Sequence, residues 1–182
     1  GNSGVALAGE TIGARWGLAK KGAGFIGGYL SGFLFHEAGH EIISRIEGVD
    51  MSWSVGDNRW YATTSSNGKL RNIAFAGFGA EILSAEIILG FDKIPKDNTY
   101  LLGWLAFNIL NSFLYPLRNE LQSGGYGDLE TLRKTGVDTG FVEVGMIAYG
   151  LVTAYRIYNN PKFIPYIRVT KEEIIIGVEW KF

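Results

Sequence analysis

The chain holds only two histidines, and both fall in GFLFHEAGHEIISRI, residues 32–46. His36 and His40 stand four apart, with Glu37 beside the first. On a helix, residues i and i+4 differ by about 40° around the axis, so the two imidazoles project to one side. Two nitrogens so placed can reach one zinc ion at about 2.0–2.1 Å. Glu37 lies three residues before His40 and flanks the same face. From there it can accept a proton from a water on the ion without filling a coordination position. It can then hand that proton to a leaving amine. The chemistry is metal-assisted peptide hydrolysis. HExxH fixes only three letters and arises by chance, and a lone histidine on an apolar helix face is most often a satisfied core residue. Here both histidines are spent in the motif, and the helix carrying them is apolar. Two imidazoles and a carboxylate left without partners there would be costly.

A catalytic zinc site needs a third protein ligand and an open position. No further histidine exists and cysteine is absent. The ligand is therefore a carboxylate or, as the second choice, an amide, and the candidates are Asp128, Glu81, Glu86, Glu143 and Glu130. Asp128 is favoured. It stands in SGGYGDLETL, where glycines permit a tight turn that can carry a short carboxylate to a metal. The plainer account is that Asp128 caps the helix after it. Glu81 ranks next, because an acid inside an apolar helix needs a partner. Having only two histidines excludes desaturase-like clusters and di-iron bundles built on two histidine pairs. With no cysteine there is no disulfide, thiolate site or cysteine nucleophile.

The elements that must position these residues follow from the pattern of charge and hydropathy. Residues 1–19 are small and weakly patterned. Residues 22–46 predict one helix, longer at about 1.5 Å per residue than a hydrocarbon layer of about 30 Å. Gly48 is its expected stop. In residues 49–71 aromatic and β-branched residues alternate with polar ones. Strands are expected near 50–55 and 59–64, with a third near 69–73, and SSNG as a hairpin turn. Trp53, Trp60 and Tyr61 there suit either a membrane-interface belt or hairpin packing. Further apolar helices are expected over 72–91, 99–117 and 139–158, with Pro116 ending or kinking the second of these. A short polar helix precedes the last. The tail, 159–182, holds two strand-like pieces. Net charge is −1, so no broad basic surface for nucleic acid is implied. Charged residues make up 19%, below the ~25% of an ordinary soluble domain.

The layout resembles the site-2 protease family of intramembrane metalloproteases. FLFHEAGHEIISRIEG is similar to that family's motif helix. AFAGFGAEIL is similar to its second conserved helix, with Phe78 where proline is usual and Glu81 where asparagine is usual. FNILNSFLYPLRNELQSGGYGDLETL resembles the segment that supplies the third, aspartate ligand, although Gly127 and Asp128 come in the reverse of the family's Asp-Gly order. The resemblance spans about residues 25–135. It implies that Asp128 completes the metal site, and that Asn108 or Asn111, with Pro116, shapes the substrate-binding loop. HEAGH, AGFGAE and GYGDLE also resemble the protease domain of AAA-linked membrane metalloproteases. That domain is soluble and normally follows an ATPase module, for which no phosphate-binding loop exists here.

Together these features predict a mainly α protein: a single membrane-embedded unit over 1–182, with a polytopic bundle of about four apolar helices in 20–158. A small β insertion at 49–71 follows the motif helix, and a strand-like tail closes the chain. The expected function is a Zn²⁺-dependent intramembrane peptidase acting on membrane-anchored protein substrates. It would be a multi-pass integral membrane protein in contact with lipid, without nucleic acid as a partner. The alternatives are a catalytically idle structural subunit of a membrane complex, with partner subunits in place of substrates, or a soluble zinc peptidase domain.

Overall fold

No proline precedes Pro95, and residues 3–46 run as one helix, α1 (Ser3–Ile46), in the computed structural model. The model describes the backbone of residues 3–54, 59–91, 93–121, 127–159, 164–169 and 174–179, and the side chains within 16–54, 60–91, 93–121 and 127–159. The helix therefore begins well before residue 22, where the sequence pattern places its start, and takes in most of the weakly patterned segment. Small residues without a breaker continue a helix that a long apolar stretch has already nucleated. It ends where expected. Gly48 takes φ 64°, and the Val49 and Gly48 amides return to the carbonyls of Ser44 and Arg45, the two bonds of a Schellman stop.

Strands β1 (Met51–Ser54) and β2 (Arg59–Ala62) form an antiparallel hairpin in which Trp53 faces Trp60. Its turn lies outside the described residues. The third strand expected near 69–73 is instead the first turns of α2 (Asn67–Gly90). SSNG is that helix's N-terminus rather than a hairpin turn, with the Ser66 hydroxyl accepting from the Lys69 amide at 3.5 Å. Serine serves caps and turns alike. What decides between them is the spacing of buried residues, Ile73, Ala74, Gly77, Phe78, Glu81, Ser84, Ala85 and Ile88, which is helical.

Helix α3 (Thr99–Leu121) continues past Pro116 instead of stopping there. Proline removes one helical hydrogen bond; beyond it the Asn119 side-chain amide donates to Glu143 Oε1 at 2.8 Å and ties the last turn to a neighbouring helix. Helix α4 (Asp128–Lys134) is short, and α5 (Thr139–Tyr158) starts from an Asp138 cap. The two strand-like tail pieces pair with each other as β3 (Ile164–Val169) and β4 (Ile174–Glu179). The chain is thus mainly helical with small antiparallel hairpins. Among the described residues one helix, α2, is long and apolar enough to cross a membrane by length and composition.

Two buried clusters flank what will be the site. One joins Ala85, Ile88, Leu102, Leu105 and Ile157; the other joins Ala74, Phe78, Leu129 and Leu132. Helices α1 and α3 meet backbone to backbone. A Cβ on Gly28 would lie 1.7 Å from the Tyr100 carbonyl oxygen, and one on Gly103 1.9 Å from that of Phe25. Gly103→Ala therefore forces the two helices apart. A loss of about 1–3 kcal/mol is expected, read as a lowered melting temperature against a Gly79→Ala control, where a Cβ meets nothing.

Candidate metal centre

Each histidine of the motif has one ring nitrogen already engaged. His40 Nδ1 lies 2.7 Å from the Ile73 carbonyl oxygen. A carbonyl only accepts, so Nδ1 carries the proton and, in the neutral ring, Nε2 carries a lone pair. His36 Nδ1 is hydrogen-bonded to the Glu81 carboxylate, which fixes the same tautomer. The two Nε2 atoms then face each other at 3.1 Å. Asp128 closes the triangle, with Oδ2 3.2 Å from His36 Nε2 and Oδ1 3.3 Å from His40 Nε2. All three residues are buried.

With both rings neutral, two imidazole lone pairs and a carboxylate converge, and only a proton or a metal ion between them offsets the repulsion. Such a set calls for a cation. The spacing agrees with one. Ligands at about 2.0–2.1 Å in a tetrahedron lie roughly 3.3 Å from one another; here the two Nε2 atoms are 3.1 Å apart and each lies 3.2–3.3 Å from one Asp128 oxygen, Oδ2 for His36 and Oδ1 for His40, with one ligand atom from each residue within 4.8 Å of the others. The buried His36–His40–Asp128 cluster can hold a metal ion. Burial by itself would raise the Asp128 carboxyl, but with no ion between them the protons and charge on the His40 and His36 imidazoles outweigh that and hold it well below the usual carboxylate range. It is ionised, as a ligand must be.

The floor of the site is Gly77 on α2. A Cβ there would sit 2.6 Å from His36 Cε1, His36 Nε2 and His40 Nε2. Only a residue without a side chain leaves that space to an ion. Asp128 is delivered by a turn with equally little freedom. Gly127 takes φ 120°, which favours glycine, and a Cβ on it would meet the Tyr115 hydroxyl at 2.2 Å. That hydroxyl accepts from the Asp128 amide at 2.7 Å. The Gly-Asp order of this chain therefore has a local cause: glycine comes first so that the Tyr115 phenol can enter the turn. The capping position of the plainer account is filled by Gly127, the N-cap of α4, and not by the first helical residue, Asp128. Asp128 makes no side-chain cap, since its carboxylate turns toward the histidines.

A cavity of about 300 Å³ opens onto the three ligand residues, walled by Phe33, Glu37, Trp60, Phe107, Asn111 and Tyr115 among others. Glu37 is half-buried on that wall, on the same helix as both histidines. No family model, curated protein or solved structure matches this chain. The site must therefore be understood from its own geometry.

The remaining residues singled out from the sequence divide by position. Glu81 stands behind His36 as the partner of its Nδ1, not among the converging atoms. Partners of this kind set the orientation and basicity of a metal-binding imidazole. Asn111 lines the cavity and donates to Glu81 Oε1 at 2.6 Å. Asn108 does not line it. Its amide donates to the Glu81 carbonyl and the Ser84 hydroxyl on α2, the bond between helices that buried amides commonly make. Pro116 is buried inside α3 and is not on the cavity wall. Glu86 is bound to Tyr149 and Arg156, Glu143 to Asn119, and Glu130 to Arg133 and Lys134. None of these three belongs to the cluster. Sequence reasoning missed Gly77, Tyr115 and the Ile73 carbonyl. Gly77 had a faint signal, as a small residue in AGFGAE opposite the motif helix. The other two had none, since they act through contacts distant in sequence.

Proposed function

We propose that this chain is a zinc-dependent intramembrane peptidase that hydrolyses peptide bonds of membrane-anchored proteins, in the manner the site-2 protease resemblance implies. The observation that carries it is the buried convergence of His36 Nε2, His40 Nε2 and Asp128, opening onto a cavity lined by Glu37. The membrane setting is supported by where the apolar side chains lie. Leu30, Leu34, Leu83, Leu114, Phe141 and Leu151 are exposed, while His36, His40, Glu81, Ser84, Asn108 and Ser112 are buried. A chain that turns leucines outward on four helices and keeps its polar groups within suits lipid as its solvent. Helices α1, α3 and α5 join α2 in a multi-pass arrangement on this reading, each long enough for a layer of about 30 Å.

His36, His40 and Asp128 would hold the ion. Zinc bound there would lower the pKa of a coordinated water to about 7 and polarise the scissile carbonyl. Glu81 and the Ile73 carbonyl keep each imidazole in the tautomer that offers Nε2. Glu37 accepts the proton of the attacking water on its carboxylate and delivers it to the leaving nitrogen. The aromatic wall excludes lipid and bulk water from the reacting peptide.

The test is zinc content together with cleavage of a membrane-anchored peptide by detergent-purified protein. One zinc per chain and measurable cleavage are expected. Asp128→Ala removes one of three ligands and leaves two buried lone pairs without a counterion. Its zinc content is expected to fall to background, with cleavage lost in parallel. Unsubstituted protein that retains no zinc, or zinc-loaded protein that cleaves nothing, would end the proposal.

A further inference from the structure

One side chain touches two of the three ligand residues yet belongs to neither of their helices. Trp60, on β2, donates its indole N–H to Asp128 Oδ1 at 3.0 Å. Its ring lies beside that of His40, with centroids 5.3 Å apart and planes tilted by 35°. The same indole packs against the cluster of Ala74, Phe78, Leu129 and Leu132, so it is held from behind as well.

Asp128 meets the two imidazoles with different oxygens, Oδ2 toward His36 and Oδ1 toward His40. Both oxygens are therefore in reach of one ion, and a carboxylate can bind through one or both. The two oxygens differ in their neighbours. Apart from the imidazoles, Oδ2 has the Tyr115 hydroxyl at 3.4 Å, a long contact, whereas Oδ1 has the indole N–H at 3.0 Å, a normal hydrogen-bond length. An N–H held on Oδ1 competes with a metal for that oxygen's electrons.

We infer that Trp60 is a positioning residue of the metal centre: its N–H occupies Oδ1 so that Asp128 ligates through Oδ2, and its ring fixes the plane of His40. This rests on the zinc reading above. One-oxygen ligation leaves the fourth position open, as a catalytic site requires. The hairpin is thereby part of the centre and not only a flanking strand pair. Trp53 provides an internal control. It faces Trp60 across the hairpin, but its indole goes to Glu41 Oε2 at 3.4 Å, away from the ligands.

Co²⁺ in place of zinc reads this directly, because four-coordinate Co²⁺ absorbs visible light much more strongly than five- or six-coordinate Co²⁺. Full-length protein in detergent is titrated with Co²⁺. The unsubstituted protein and Trp53→Phe are expected to share one affinity and one intense band. Trp60→Phe keeps an aromatic ring and loses the N–H. Its band is expected to lose most of its intensity, and its affinity to fall at least about tenfold. A Trp60→Phe protein with the unsubstituted band and affinity overturns the inference and leaves the zinc reading standing. Failure of the unsubstituted protein to take up Co²⁺ overturns both.

A second measurement leaves Trp60 in place, should Trp60→Phe not fold. In zinc-loaded protein with ¹⁵N-labelled indoles, the Trp60 N–H is identified by elimination, using Phe variants of Trp16, Trp53, Trp104 and Trp180. It is expected to be protected from solvent exchange and to shift when zinc is removed. Rapid exchange in the zinc-loaded protein, or no shift on removal, sinks the inference.

Discussion

Glu37→Gln is expected to keep its zinc and lose peptide hydrolysis by about 10²–10⁴-fold, the usual contribution of a positioned general base. The separation of the two readouts follows from geometry. The ligand atoms come from His36, His40 and Asp128, and Glu37 lies on the cavity wall beside them. Glutamine has nearly the same shape and fills the same space, so neither the helix nor the cavity changes. It cannot take up a proton at neutral pH, so the attacking water keeps its own. Zinc content by metal analysis and cleavage of a membrane-anchored peptide, measured on one preparation, check both halves. A catalytically idle subunit would be indifferent to the change. Undiminished cleavage by a zinc-loaded variant would remove Glu37 from the mechanism.

Gly77→Ala is expected to empty the site while sparing the fold. The added methyl would stand 2.6 Å from the Nε2 atoms of both His36 and His40, where the ion is to be held. The imidazoles can yield only by swinging away from each other, which opens the 3.1 Å edge between their nitrogens. Zinc affinity should drop by more than the 10–100-fold typical of disturbing groups around the ligands, since here the ligand atoms themselves move. Helix α2 is affected in the opposite sense, because alanine favours a helix interior over glycine by roughly 0.5–1 kcal/mol. Crowding of the rings costs about 1–3 kcal/mol, so the metal-free protein should melt close to or modestly below the unsubstituted one. Isothermal titration with zinc and thermal unfolding without it separate the two effects. Zinc binding at unsubstituted strength by Gly77→Ala would mean that the ion does not sit between these nitrogens. Gly39, the other glycine in this contact, approaches the Ala76 carbonyl and not the rings. Alanine there tests helix packing without touching the ligands directly.

Much of the centre can be read from residue types and intervals. His36, Glu37 and His40 form a one-turn pattern on an uninterrupted helix, a local property that needs no knowledge of the rest of the chain. The want of any other histidine or cysteine points to a carboxylate ahead of an amide as the third ligand, and glycines around Asp128 mark the turn that brings it. The helices themselves are legible because apolar stretches of that length without proline have few alternatives. Their ends were less so. SSNG suits a hairpin and a helix cap equally by residue type, and only the burial of Ile73, Ala74 and Gly77 against the other elements favours the helix. Pro116 carries a local rule for ending or kinking a helix, and α3 runs on past it to Leu121, with Asn119 beyond the proline bonded to Glu143.

Tertiary structure alone decided which carboxylate faces the histidines and which stands behind them. The glycines beside Asp128 favour it over Glu81, but no local pattern says which imidazole nitrogen either acid meets. Helix α2 runs beside α1 with Gly77 under the rings, which leaves Glu81 at His36 Nδ1, while the Gly127 turn swings Asp128 to the Nε2 side. Trp60, Tyr115 and the Ile73 carbonyl enter for the same reason. A hydrogen bond depends on distance and direction between groups far apart in the chain, whereas the helix that presents two imidazoles to one ion depends only on an interval of four.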